Sequence, residues 1–110
     1  MRWPRLGALR HRLRLEAPLS AASAGGGATL TWQRVADVWA EVTTVAGREG
    51  SISDGVSARV THQVRLRFRA DLLPEMRFVT PRGGRYDIRA VRDVDGTRRW
   101  LSCLCEEVVA

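Results

Sequence analysis

The chain has 110 residues, a formal net charge of +6 and no lysine among its 18 basic residues. That length is one domain's worth and lets about two-thirds of the unfolded chain's surface be buried. The charge admits an anionic partner without choosing one, and the uniform use of arginine points to coding bias rather than phosphate-binding design.

The N-terminal stretch MRWPRLGALRHRLRLEAPLSAASA opens on basic residues and holds an Ala22-Ser23-Ala24 step of the kind a signal peptidase cuts. Arg10, Arg12 and Arg14 interrupt any apolar segment there, which disfavours export. A transit peptide suits the arginine and serine content better, and a strand suits it best. Leu9, His11, Leu13 and Leu15 fall on one face, Arg10, Arg12, Arg14 and Glu16 on the other, with the period of two that a half-buried strand requires.

Residues 20–30, SAASAGGGATL, are small and glycine-rich and predict a flexible loop. The β-branched and aromatic residues that follow predict a strand around Val35–Val42. Residues 46–58, AGREGSISDGVSA, are polar and rich in glycine, a long excursion with room for a short helix and nothing to anchor a long one.

The cleanest alternation spans residues 60–69. Val60, His62, Val64, Leu66 and Phe68 lie on one side, Thr61, Gln63, Arg65, Arg67 and Arg69 on the other. Pro74 closes any regular structure in ADLLPEM. RFVT and RYDIRAV flank a turn at Pro81–Gly84 and predict a hairpin, and Asp95-Gly96 predicts a second turn ahead of RRWLSCLCEE. About six short strands at near-regular spacing make the fold mainly β, a small antiparallel barrel or sandwich. A long polar loop separates the second and third strands.

Chemistry is scarce. Cys103 and Cys105 with His11 and His62 have the residue types of a zinc site but not its spacing. Both histidines sit on apolar faces, so core or edge histidines and buried apolar cysteines are expected, with no metal. Two cysteines are too few for a secreted disulfide scaffold, and their i, i+2 placement on one strand face holds their Cβ atoms too far apart to bridge. No apolar run reaches the roughly 20 residues of a membrane span. There is no Gly-x-Ser-x-Gly, and AGREG lacks the lysine and helix of a phosphate loop. Asp93 and Asp95 read as turn residues that bond locally. No catalytic residue and no cofactor is expected. Trp32, Trp39 and Trp100 each carry a payload of about 150–250 Å², expected to fill the core, with interface anchoring as the alternative.

In order, LRHRLRLEAP, a glycine-rich loop closing on TW, VWAEV, GRE, THQVRLRFR, MRFV with GGRYDI, and a terminal LSCLCEE resemble the phage head–tail joining family. These are the head-closure or stopper proteins of long-tailed siphophages, prophages and gene transfer agents. The resemblance covers nearly the whole chain and implies one head–tail joining β-barrel domain over residues 1–110. It implies a homo-oligomeric ring, expected as a hexamer, between the portal or adaptor ring and the tail terminator or tail tube proteins. Such a ring retains packaged double-stranded DNA and docks the tail, in a virion or virion-like particle assembled in the host bacterial cytoplasm.

On that resemblance the loop 46–58 faces the channel, with Gly47, Arg48, Glu49, Gly50 and the adjoining Arg59 as its candidate residues. Arg65, Arg67, Arg69 and Trp32 are expected at an inter-subunit or inter-ring contact, where arginine is enriched. The same three arginines could instead line a channel filled with DNA phosphates. The competing function is a free nucleic-acid-binding barrel resembling an OB-fold module, which would expose aromatic side chains for base stacking. Phe68 and Tyr86 fall on faces assigned to the core, which counts against it. An enzyme built on Cys103 or Cys105 ranks last.

Overall fold

The computed structural model describes residues 9–22, 28–45 and 60–108. Strand is the regular structure throughout these residues: β1 (His11–Ala22), β2 (Ala28–Thr44), β3 (His62–Arg67), β4 (Arg77–Val79), β5 (Arg85–Asp93) and β6 (Trp100–Val108). Every neighbouring pair is antiparallel. The order β1-β2-β3-β6-β5-β4 closes on itself, with Leu15 of β1 opposite Phe78 of β4. The expected small antiparallel barrel is the fold.

The period of two determines what the barrel contains. Leu13 and Leu15 of β1, Val38 and Ala40 of β2, Val64 and Leu66 of β3, and Phe78 of β4 point inward and are buried. Ile88 of β5 and Leu101, Cys103 and Cys105 of β6 complete the lining. Leu72 and Met76, from the connection between β3 and β4, join the same cluster. Each fully buried side chain of this size contributes about 1.5–3 kcal/mol.

Closure needs bent strands, and two bulges supply the bends. One lies at Leu15/Glu16, where Ala36 and Arg34 pair across β1 and Val35 is left over. The other lies at Ile88/Ala90, where Arg89 is left over on β5.

Several boundaries differ from expectation. β2 is much longer than Val35–Val42, and the glycine-rich stretch 20–30 begins and ends in strand, since Ser20 pairs with Leu30 and Ala22 with Ala28. Ladder hydrogen bonds between the two halves of a hairpin override the poor strand propensity of small residues. β3 stops at Arg67, so Arg69 lies beyond the strand it was assigned to. The excursion 46–58 lies outside the described residues.

The long strands outrun the barrel wall. β4 pairs with β1 only over Arg14–Glu16, and β3 pairs with β2 only over Ala40–Thr44. Beyond those points Ala17–Ala22 and Ala28–Gln33 pair with each other alone, as a two-stranded arm. The molecule is accordingly elongated, with principal extents of 50 × 30 × 28 Å.

Candidate docking surface

At the root of the arm, Arg77 of β4 reaches across β1. Its Nε donates to Glu16 Oε1 at 2.8 Å, and its guanidinium stacks on the Trp32 ring at 4.0 Å from the centroid. Arg14 stands 3.7 Å from the other Glu16 oxygen. Strand parity put Glu16 among the solvated residues, yet it is buried at 8 % exposure. Arg77, opposite Glu16 in the β1–β4 ladder, covers it. This cluster ties β1, β2 and β4 together where the arm leaves the barrel.

The three arginines of the alternating segment are not equivalent. Arg65 is held on the barrel wall, 3.5 Å from Glu41 Oε1, and donates to Gln63 Oε1 at 3.3 Å. Arg67 lies over Trp100 at 5.5 Å. Arg69 grips Asp71 with two parallel bonds of 3.1 and 3.0 Å. That pair keeps the Asp71 carboxyl below its ordinary range. The arginines thus form separate fixed contacts rather than one uniform row of charges.

None of the three expected core tryptophans lies in the core. Trp32 is half-buried beneath Arg77, Trp100 half-buried beneath Arg67, and Trp39 is 57 % exposed. Parity gives the reason for Trp39: Val38 and Ala40 on either side of it point inward, so it must point out. The alternation already contained this signal, outweighed by the size of the indole.

Trp39 stands at a cleft where β3 parts from β2. Leu9, Val38, Trp39, Leu66 and Phe68 line it, with Asp37, Arg67 and Arg69 at its polar margin, and its volume is about 690 Å³. Asp37 accepts bonds from Arg34 at 2.6 Å and from Arg12 at 3.0 Å. Arg34 first, then Arg12, hold its carboxyl below the usual carboxylate range. The cleft is an apolar recess with a charged margin, and β2 runs on from it into the arm.

Cys103 and Cys105 are free thiols with no exposed surface. Burial pushes the Cys103 thiol up to about 12, and Cys105 is raised as well. His11 is exposed at the start of β1, a correction to its place on the inner face: β4 pairs with β1 only over Arg14–Glu16 and does not reach it. His62 is half-buried, with Nδ1 2.9 Å from Thr61 Oγ1 and its ring centroid 4.9 Å from that of Tyr86. Asp93 and Asp95 do the local work of turn residues. Asp93 Oδ2 accepts from the Arg98 amide at 2.9 Å, and Asp95 Oδ1 accepts from the Thr97 amide at 3.2 Å. Phe68 and Tyr86 pack against the core as partly buried side chains, not as an exposed stacking platform.

Gly47, Arg48, Glu49, Gly50 and Arg59 lie outside the described residues. Trp32, Arg65, Arg67 and Arg69 lie within them, and of these Arg67 and Arg69 line the cleft together.

The family model for phage head completion proteins matches residues 4–108. Two solved structures share the fold over almost the whole chain. A chain from the virion of a native gene transfer agent particle is 32 % identical, with a TM-score of 0.68, covering 98 % of this chain and 100 % of its own length. A protein from Shigella flexneri 2a, determined in solution, is 28 % identical with a TM-score of 0.70, covering 94 % of this chain and 96 % of its own. No curated protein matches.

Proposed function

The chain belongs to the phage head completion protein family, and from that premise we propose that it is a structural connector between head and tail. The observation that carries this reading is the full-length likeness to a chain of a gene transfer agent virion, 32 % identical and covered completely. The protein sits in a ring between the portal or adaptor and the tail, retains packaged DNA and presents the surface on which the tail docks. A ring of identical subunits joined head to tail needs two different faces on each one. The cleft margin with Arg67 and Arg69, the arm root with Trp32, and Arg65 on the adjoining wall supply the protein contacts of such a ring. The excursion with Gly47, Arg48, Glu49, Gly50 and Arg59 faces the channel, where its arginines meet phosphates regardless of base sequence.

The reading is tested by deleting the gene in its producing strain and imaging the particles. Filled or leaking heads without tails are expected, with tails restored by the gene in trans. Normal tailed particles from the deletion strain would overturn it.

A further inference from the structure

Among the described residues, the exposed large apolar side chains are Leu19, Leu30, Val35, Trp39 and Leu73, and all but Leu73 lie on β1 or β2. Leu19 is 52 % and Leu30 58 % exposed, and both lie on the arm. From Ala17 to Gln33 no residue carries a charge, although 27 % of the chain is charged. Exposed strand edges are normally blunted by charges that stop them meeting another chain. Here the edges are left uncharged and the leucines uncovered.

The same molecule carries a recess to match. The cleft beside Trp39 is apolar within and sits on the barrel stretch of β2, beyond the root of the arm. A projection and a recess at different places on one chain make a contact that repeats head to tail and closes when the rotation allows. Charge favours a second copy as the occupant. Two molecules of net charge +6 repel wherever their arginines meet, and the uncharged arm is the part that can approach without that penalty.

We propose that the β1–β2 arm of one copy docks, through Leu19 and Leu30, into the Trp39 cleft of the next copy. Arg67 and Arg69 rim this contact rather than forming its centre. The inference rests on the connector reading for its setting, and the experiment below separates the two.

A chain carrying both Leu30→Cys and Trp39→Cys is treated with a short bifunctional maleimide, in purified particles and as concentrated free protein. The two positions are nine residues apart on one strand, about 30 Å, so a link within one copy is out of reach. Cys103 and Cys105 are buried and stay silent. Chains linked in multiples of one subunit mass are expected from the double variant, and single subunits from either single variant. Leu19→Glu with Leu30→Glu should abolish the ladder and remove the protein from particles, without shifting the unfolding midpoint of the free chain. Linking by Leu30→Cys alone, links to a different protein, or no ladder in particles that contain the variant would each overturn the arm-to-cleft contact. Should the protein be absent from particles altogether, the connector reading fails, and the ladder from concentrated free protein alone decides the arm contact.

Discussion

Arg77 lies over Trp32, its guanidinium carbon 4.0 Å from the ring centre, while its Nε bonds the carboxylate of Glu16. The Arg77 and Glu16 side chains are only 14 % and 11 % exposed, so loss of Arg77 leaves the Glu16 charge away from water with only the half-exposed Arg14, 3.7 Å off, beside it. Arg77→Met should therefore cost about 2–3 kcal/mol, and Glu16→Gln with Arg77→Met together should cost less than Arg77→Met alone. Urea unfolding midpoints of Arg77→Met, Glu16→Gln and the double variant measure this. Costs that simply add would show the pair to be uncoupled.

The Cys103 thiol gives stability a direction in pH. Its native value is raised from 9.0 to about 12 by burial, so the unfolded chain releases a proton that the native chain keeps. Its contribution is whole below the unfolded value of 9.0 and declines as pH rises toward the native value. Wild type should lose stability above the unfolded value, and Cys103→Ala should lose less over the same window. Cys103→Ser and Cys105→Ser should each cost about 1–3 kcal/mol for burying a hydroxyl and should leave particle assembly intact. Thiol titration of the native protein at neutral pH should find both groups silent. Stoichiometric zinc lost on either substitution would contradict the apolar role.

The β5–β6 connection holds a local cost. Arg98 sits at φ 59°, in the left-handed region, fixed there by the bond from its amide to Asp93 Oδ2. Arg98→Gly should stabilise the fold by about 0.5–1 kcal/mol, and Gly96→Ala, at φ 77°, should cost a similar amount. Thermal midpoints are the check, and a destabilised Arg98→Gly would mean that its side chain is needed.

This connection also shows where sequence stops being a guide. Asp95-Gly96 marked the turn correctly, but Val94 and Trp100 close the ladder around a wider loop than a two-residue turn. Asp93 bonding the Arg98 amide sets that width, a contact invisible in a dipeptide. The inward faces of β1, β3 and β6 could be read from alternation, because a period of two is a local property. The arm could not, because Ala and Ser carry little strand preference and only pairing between residues 17–22 and 28–33 makes these segments strands. Glu16 was missed for a related reason: its cover comes from Arg77, distant in sequence and brought near by barrel closure. The cleft needs β2 and β3 to diverge beyond Ala40–Leu66, which no single segment encodes.

The arginines of the excursion and of the barrel wall should separate under mutation. On the proposed reading Arg48 of the excursion and the adjoining Arg59 face the channel, so their contacts would be electrostatic and indifferent to sequence. Arg48→Ala with Arg59→Ala should weaken DNA retention in tailless heads while the free protein keeps its unfolding midpoint. Contacts of this kind fade with added salt, since charges are screened beyond about 8 Å at physiological ionic strength, so the difference between the variant and wild type should narrow as salt rises. Arg65→Ala, Arg67→Ala and Arg69→Ala together should act differently. They remove the contact to Glu41, the cover on Trp100 and the grip on Asp71, and should impair ring assembly or docking. Nuclease sensitivity of the packaged DNA reads the first effect, and the number of tailed particles reads the second. Normal retention in the excursion variant, with leakage from fully assembled particles of the wall variant, would exchange the two surfaces.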